Sequence, residues 1–243
     1  MENATLNKLL DAKRPPYFAP DTPCVDCGEN GDSRHRHNFI ILCEGCDSAR
    51  SKAVWLKGAL DRAGISERHR GADLDDMNCP NLKYSANIAS LKEYVKIFDQ
   101  EKVKGENRVL LGPMGTGKTM AAYAIAEHAV RKGKAVMCST FTGLMISLKE
   151  TYGKGGGTMM EAMKKFSDPI LLVVDDVRAG VSDHERDLFH EIINTRYEGM
   201  LSTIITANLN RSTLKEAIGN PCYDRIQQDG EIILLDSTSF RGS

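Results

Sequence analysis

From Asn107 onward the chain alternates short aliphatic runs with stretches whose apolar positions recur at helical spacing. The runs RVLLG, AVMCST, ILLVVDD, STIITAN and EIILLD begin at 108, 135, 170, 202 and 231. They are continuous rather than alternating, which is the pattern of strands covered on both faces. Helical spacing fills the gaps near 118–131, 141–151, 158–166, 183–198 and 211–227. Strands that take turns with helices predict a parallel five-stranded sheet in an α/β domain. Upstream the pattern is sparser. A short helix is expected at 4–12 before the breaks at Pro15, Pro16 and Pro20. Ala53, Leu56, Leu60 and Ala63 then mark a helix stopped by Gly64. Residues 66–81 are polar and aperiodic, as in a linker, and 90–98 resumes an amphipathic helix. The organisation expected is a small domain over 1–75, a linker and helix over 76–106, and the α/β domain over 107–243.

Composition changes this picture little. With 243 residues, 41 % hydrophobic and 27 % charged, the chain fits one core and one accessory module. The opening segment lacks a signal peptide's apolar stretch, and the longest aliphatic run, 170–174, is far short of a membrane span. A cytoplasmic protein without a membrane partner is expected. The formal charge of −1 excludes a basic coat over the whole surface and confines any nucleic-acid contact to one face.

The octet GPMGTGKT follows the first run and opens a helical stretch: Gly112, Pro113, Met114, Gly115, Thr116, Gly117, Lys118 and Thr119. Its spacing is that of a phosphate-binding loop. Glycines let backbone N–H groups reach phosphate oxygens, Lys118 reaches the β- and γ-phosphates, and Thr119 ligates magnesium. A nucleoside triphosphate and Mg²⁺ are what this predicts. ILLVVDD ends in Asp175 and Asp176, the first suited to magnesium and the second to deprotonating an attacking water. Asn208, at the end of STIITAN, is placed to hydrogen-bond that water or the γ-phosphate.

GPMGTGKT, LLVVDDV, IINTRYEGMLSTIITANL and the closing DSTSFR together resemble the DnaC/IstB-like group of AAA+ ATPases, which includes helicase loaders and transposition helpers. The resemblance covers about 100–241. It implies an AAA+ P-loop core with Walker A at 112–119, Walker B at Asp175 and Asp176, sensor 1 at Asn208, and no helical lid. It also implies that the cofactor is ATP, hydrolysed at the interfaces of a homo-oligomer with an arginine supplied by the neighbour. Relatives tend to carry G-E-R-x-x-D-R where this chain has Gly219-Asn220-Pro221-Cys222-Tyr223-Asp224-Arg225. The first arginine is absent, which leaves Arg225 as the candidate finger, weighed evenly against a helix-surface role.

Seven cysteines include two C-x-x-C pairs, Cys24 with Cys27 and Cys43 with Cys46. That separation suits a four-cysteine zinc site, so Zn²⁺ and a small zinc-binding domain are expected. His35 and His37, between the pairs, are alternative ligands. A zinc module ahead of the ATPase resembles the replication-type loaders, as does AGISER after it, and the module is the candidate grip on a hexameric replicative helicase, although a zinc ribbon equally suits DNA.

Residues 131–165 carry seven Lys or Arg against two Glu. In the loaders this insertion resembles the one that touches single-stranded DNA. Phe141 and Tyr152 offer stacking surfaces, while Lys149, Lys154, Lys164 and Lys165 offer cations for phosphates. The alternative is a solvated helix face with its aromatics in the core. The function expected is an ATP-dependent loader that binds a replicative helicase and single-stranded DNA, against a transposition helper acting on target DNA.

Overall fold

The computed structural model describes residues 34–37, 40–77, 81–103, 105–152 and 158–236, with the backbone alone described at 34–37, 40–50 and 152. The helix expected at 4–12, Cys24, Cys27 and Lys154 lie outside the described residues, as do the side chains of Cys43, Cys46 and Tyr152. Contacts divide the chain into two compact units, Met1–Gly58 and Ala59–Ser243.

In the smaller unit β1 (Arg34–His37) pairs antiparallel with β2 (Ile40–Cys43), with Arg34 opposite Cys43. Helix α1 (Glu44–Arg62) follows at once. The second C-x-x-C pair therefore spans a strand–helix junction, Cys43 ending β2 and Cys46 lying in the first turn of α1.

The stretch read as a linker packs on the α/β core instead. Gly64 turns the chain at φ 75, and Ala63 O accepts a hydrogen bond from Cys138 N at 2.7 Å. Cys138 belongs to β4 (Val136–Thr140), an edge strand, so this turn occupies ladder positions that the edge would otherwise expose. A Cβ on Gly64 would lie 2.4 Å from Cys138 O, which is why the approach requires glycine. Arg70 clasps Ile65 O and Asp61, His69 stacks on Tyr123 at 4.4 Å, and Ile65, Leu74 and Met77 are buried. Of the two short 3₁₀ turns here, Glu67–His69 buries no residue and Leu74–Asp76 buries Leu74 alone, and so few apolar anchors leave no period in the sequence.

Helix α2 (Leu82–Val95) starts eight residues before the expected helix, capped by Asn81, whose side chain accepts from Lys83 N and Tyr84 N. Tyr84, Ile88, Leu91 and Tyr94 form its buried face.

The core sheet has the order β4-β5-β6-β3-β7, every pairing parallel. Its other strands are β3 (Asn107–Leu111), β5 (Leu171–Val177), β6 (Ser202–Ala207) and β7 (Gly230–Leu234). Helix α3 (Lys118–Arg131) follows β3. Helices α4 (Phe141–Lys149) and α5 (Met159–Ser167) join β4 to β5, and α6 (Asp183–Glu198) joins β5 to β6. The helix expected over 211–227 is two, α7 (Arg211–Ile218) and α8 (Asn220–Gln228), broken at Gly219 (φ 82) with Pro221 just beyond. Phe141, Leu144, Phe166, Phe189, Leu214 and Tyr223, from α4 to α8, share a core with Val109, Leu111, Leu172, Val174, Ile205 and Ala207 of the sheet. Strand alternation turns the intervening positions, Leu110, Val173 and Thr206 among them, to the opposite face, where α3 lies.

Arg196 on α6 is 1 % exposed and anchors the lower end of this core. Its guanidinium donates to Thr203 Oγ1 and to the carbonyls of Phe166, Ser167, Pro169 and Ser202, tying the end of α5 to the start of β6.

Candidate functional site

Because β6 lies between β3 and β5, the sheet order brings three strand ends side by side at its carboxyl edge. β3 delivers the glycine-rich loop, β5 the two aspartates, and β6 Asn208. An open parallel sheet places ligands at this edge.

The loop fits its task residue by residue. Gly112 has φ 149, and a Cβ there would lie 2.0 Å from Leu235 O. Gly117, at φ 87, ends the loop and leads into α3, whose first residue is Lys118. The N–H groups at that helix start are the donors an α-helix cannot satisfy internally, and they favour an anion. Lys118 is buried, and its Nζ donates to Pro113 O at 2.5 Å, so the ammonium lies inside the curl of the loop. Thr116 Oγ1 donates to the same carbonyl at 3.0 Å. Tyr84 OH donates to Thr116 O at 3.1 Å, which fastens α2 to the loop from outside. Pro113, Met114 and Gly115 form the crest, with Met114 exposed.

The aspartates occupy different environments. Asp175 is buried, and its Oδ1 accepts from Thr119 Oγ1 at 3.0 Å and from Thr206 Oγ1 at 2.5 Å. Asp176 is exposed, has a left-handed backbone at φ 58, and accepts from Asn208 Nδ2 at 3.0 Å. Thr119 and Asp175 are thus adjacent hard-oxygen donors, the set that fits Mg²⁺ bound through one carboxylate, a hydroxyl and substrate phosphates. Tyr123, one turn beyond Thr119, has its phenol pushed up by burial and by the neighbouring Cys138 and Asp175, and stays neutral.

The residues expected at a DNA contact do not gather in this way. Phe141 is fully buried and meets Phe189 edge-on, with centroids 5.4 Å apart, so its ring belongs to the core and has no face free for a base. This corrects its reading as a stacking surface. Lys149 Nζ is ion-paired to Glu185 Oε1 at 2.9 Å. Arg178 Nη2, just past β5, takes Glu185 Oε2 at 3.0 Å, and Ser182 donates to that oxygen as well. Hydrogen bonding from Lys149, then from Ser182, holds the Glu185 carboxyl down at about 2. Lys164 and Lys165 are exposed on α5. Arg225, on α8, bonds His190 Nε2 at 2.8 Å and stands 5.8 Å from the Tyr197 ring, both on α6. Among the described residues no cluster of His, Cys, Asp or Glu is arranged to hold a metal.

Sequence reading passed over Thr206 and Glu185. The signal for Thr206 was a hydroxyl two residues before Asn208 in ITAN, and for Glu185 the capping box formed with Ser182.

Comparison with known proteins agrees with this geometry. The replicative helicase loader DnaC of Buchnera aphidicola subsp. Baizongia pistaciae (strain Bp) is 26 % identical over 180 residues, covering 73 % of this chain and 72 % of that protein. The loader of the same name from Escherichia coli (strain K12) is 22 % identical over 193 residues, covering 79 % and 78 %. Among solved structures, a crystal structure of the DnaC helicase loader superposes with a TM-score of 0.61 at 25 % identity, covering 70 % of this chain and 99 % of that one. A crystal structure of DnaI gives 0.60 at 20 % identity, with 72 % and 94 % covered, a likeness of fold. The five-stranded parallel core is that of an AAA+ P-loop protein. A family model described as IstB-like ATP binding protein matches residues 86–242, which takes in the loop, both aspartates and Asn208, and the chain belongs to that family.

Proposed function

We propose that this protein is an ATP-hydrolysing loader that binds a hexameric replicative helicase and single-stranded DNA. The observation that carries the reading is the convergence of Lys118, Thr119, Asp175, Asp176 and Asn208 on one sheet edge in a chain whose relatives are named replicative helicase loaders. Loop N–H groups and Lys118 bind the phosphates, which replace Pro113 O as the lysine's acceptor. Thr119 and Asp175 hold magnesium, which when bound neutralises developing phosphate charge. Asp176, solvent-facing and steadied by Asn208, orients the attacking water and takes its proton. Arg225 of a neighbouring subunit supplies the finger, after leaving His190.

The unit upstream of residue 59, stabilised by zinc on Cys24, Cys27, Cys43 and Cys46, is assigned the helicase contact. Elemental analysis should find about one zinc per chain in protein purified without chelators. Lys149, Lys154, Lys164 and Lys165, with Tyr152, are assigned to single-stranded DNA. The family description also fits a transposition helper acting on target DNA. Co-purification of the full chain with candidate hexameric helicases decides between the two. An ATP-dependent complex with a helicase, together with preference for single strands over duplex, supports the loader. Duplex preference with no helicase captured supports the helper.

A further inference from the structure

Strand β5 carries one residue more than its partner at the point where the two aspartates stand. Val174 pairs with Ile205 and Val177 with Ala207, so Asp175 and Asp176 together oppose the single residue Thr206. This is a β-bulge in a parallel pair, where bulges are uncommon. Its effect follows from alternation. Val174, Ile205 and Ala207 lie in the core cluster with α4 to α8, and Asp175 faces α3 and Thr119. Without the extra residue, position 176 would turn into that core and position 177 away from it. With it, Val177 joins the core and Asp176 swings out into a left-handed conformation that non-glycine residues seldom adopt.

A bulge frees a backbone N–H from the ladder, and here Thr206 takes it. Thr206 is 1 % exposed, and its Oγ1 accepts from Asp176 N at 2.9 Å while donating to Asp175 Oδ1 at 2.5 Å. A single hydroxyl therefore holds the backbone of one aspartate and the carboxylate of the other. Valine in its place would fill the same volume and do neither.

We propose that Thr206 is a positioning residue for ATP hydrolysis, its hydroxyl fixing the bulge that aims Asp175 at Thr119 and Asp176 at Asn208. The inference rests on the reading of Asp176 as the group that activates water, and deepens it. Two residues of identical chemistry adjacent in sequence receive different tasks because one threonine holds the carboxylate of the first and the backbone of the second.

The test compares Thr206→Val, which keeps shape and loses the hydroxyl, with Thr206→Ser, which keeps the hydroxyl, in steady-state ATP hydrolysis by the full chain and in binding of a fluorescent ATP analogue. The valine variant should lose roughly 10- to 100-fold in kcat, the usual cost of removing an orienting partner. Its KM and analogue affinity should stay within about threefold of the parent, because the phosphate contacts are untouched. Serine should restore kcat to within about threefold. In an Asp176→Asn background the valine change should cost clearly less than in the parent, since the Asp176 share of its effect is already lost and only the placement of Asp175 remains. Normal turnover by Thr206→Val beside a dead Asp176→Asn overturns the inference and leaves the base assignment standing. So does an equal loss in the valine and serine variants, or an additive loss in the double variant. Normal turnover by Asp176→Asn overturns the base assignment and the inference with it. If the valine variant fails to fold, Thr206→Cys, small but a poor hydrogen-bonding group, is judged by the same criteria.

Discussion

The carboxyl edge of the sheet and the basic stretch from 131 to 165 were both marked in the sequence as places of chemistry, and the structure treats them differently. At the sheet edge Lys118, Thr119, Asp175, Asp176 and Asn208 come together from three strands, each held by a named partner. In the basic stretch Phe141 is in the core and Lys149 is bound to Glu185. The first set was defined by spacing within strand–loop–helix junctions, which fixes direction as well as identity. The second was defined by composition, and composition does not say which way a side chain points. A motif tied to backbone geometry predicts position, whereas a charge excess predicts only neighbourhood.

The largest effect that sharpens this contrast lies at the sheet edge. Asp176→Asn should retain ATP and lose roughly 10²- to 10⁴-fold in hydrolysis, the range of general-base catalysis. Lys118→Ala should weaken nucleotide binding itself, since it removes a phosphate clamp. Binding by fluorescent ATP analogue and turnover by phosphate release separate the two. Equal loss of binding in both variants would mean that the edge does not divide its labour as its geometry indicates.

Next in size is a test of the basic stretch. Phe141 should behave as a core residue: Phe141→Ala should destabilise the fold by about 3–5 kcal/mol, while Phe141→Leu, which still packs against Phe189, should cost less. At a temperature where Phe141→Leu is folded, its affinity for single-stranded DNA should equal the parent's. A selective loss of DNA binding without loss of thermal stability would reinstate Phe141 as a stacking surface and erase the contrast.

The sheet was legible because each strand is a continuous apolar run, and the helices because their periods survive in 118–131 and 183–198. What was not legible depends on contacts far apart in sequence. The segment around Ile65, Leu74 and Met77 reads as a linker because its apolar residues are few and irregularly spaced, yet Ala63 O takes the edge of β4 and Gly71 N donates to Glu127 on α3. Gly219 and Pro221 were visible, but the helical period continues across them, and only the backbone turn at φ 82 separates α7 from α8. Asp175 and Asp176 read as two carboxylates at the end of a regular strand. That they form a bulge depends on Thr206, some thirty residues later, and no local pattern carries that.

Glu185 links the two regions and gives a smaller, pH-dependent effect. Its carboxyl is held down at about 2, chiefly by the hydrogen bond from Lys149, against an ordinary value of 4.5. A carboxylate depressed on folding contributes stability that is fully present above the unfolded value and is lost as pH falls through the folded one. Acid unfolding should therefore steepen between 4.5 and about 2, and Glu185→Gln should flatten that limb while leaving stability near neutral pH lower than the parent's. Circular dichroism along an acid titration measures both. An unchanged acid limb in Glu185→Gln would show that Lys149 and Arg178 do not grip this carboxylate in solution.

The smallest effect concerns what Lys149 has left to offer a nucleic acid. Its ammonium already faces the Glu185 carboxylate at 2.9 Å, whereas Lys164 is exposed on α5. A lysine that meets one phosphate contributes about 0.7 to the slope of log affinity against log salt for single strands. On the loader reading, Lys164→Ala should lower that slope by about this amount, and Lys149→Ala by less than half as much, because a phosphate must compete with Glu185 for the same cation. Converting Glu185 to glutamine removes the competitor. In that background affinity for single strands should rise a few-fold at low salt, and Lys149→Ala should then cost a full phosphate contact, about 0.7 in slope. Fluorescence anisotropy with a labelled oligonucleotide over a salt series reads the slope for the parent and for each variant. If Lys149→Ala in the otherwise intact chain already matches Lys164→Ala, the ion pair yields freely to DNA, and the basic stretch is a contact surface as direct as its composition advertised. If the slope changes for Lys149 only after Glu185 is removed, the carboxylate in the capping box of α6, which Arg178 shares, is what decides when this lysine reaches a strand.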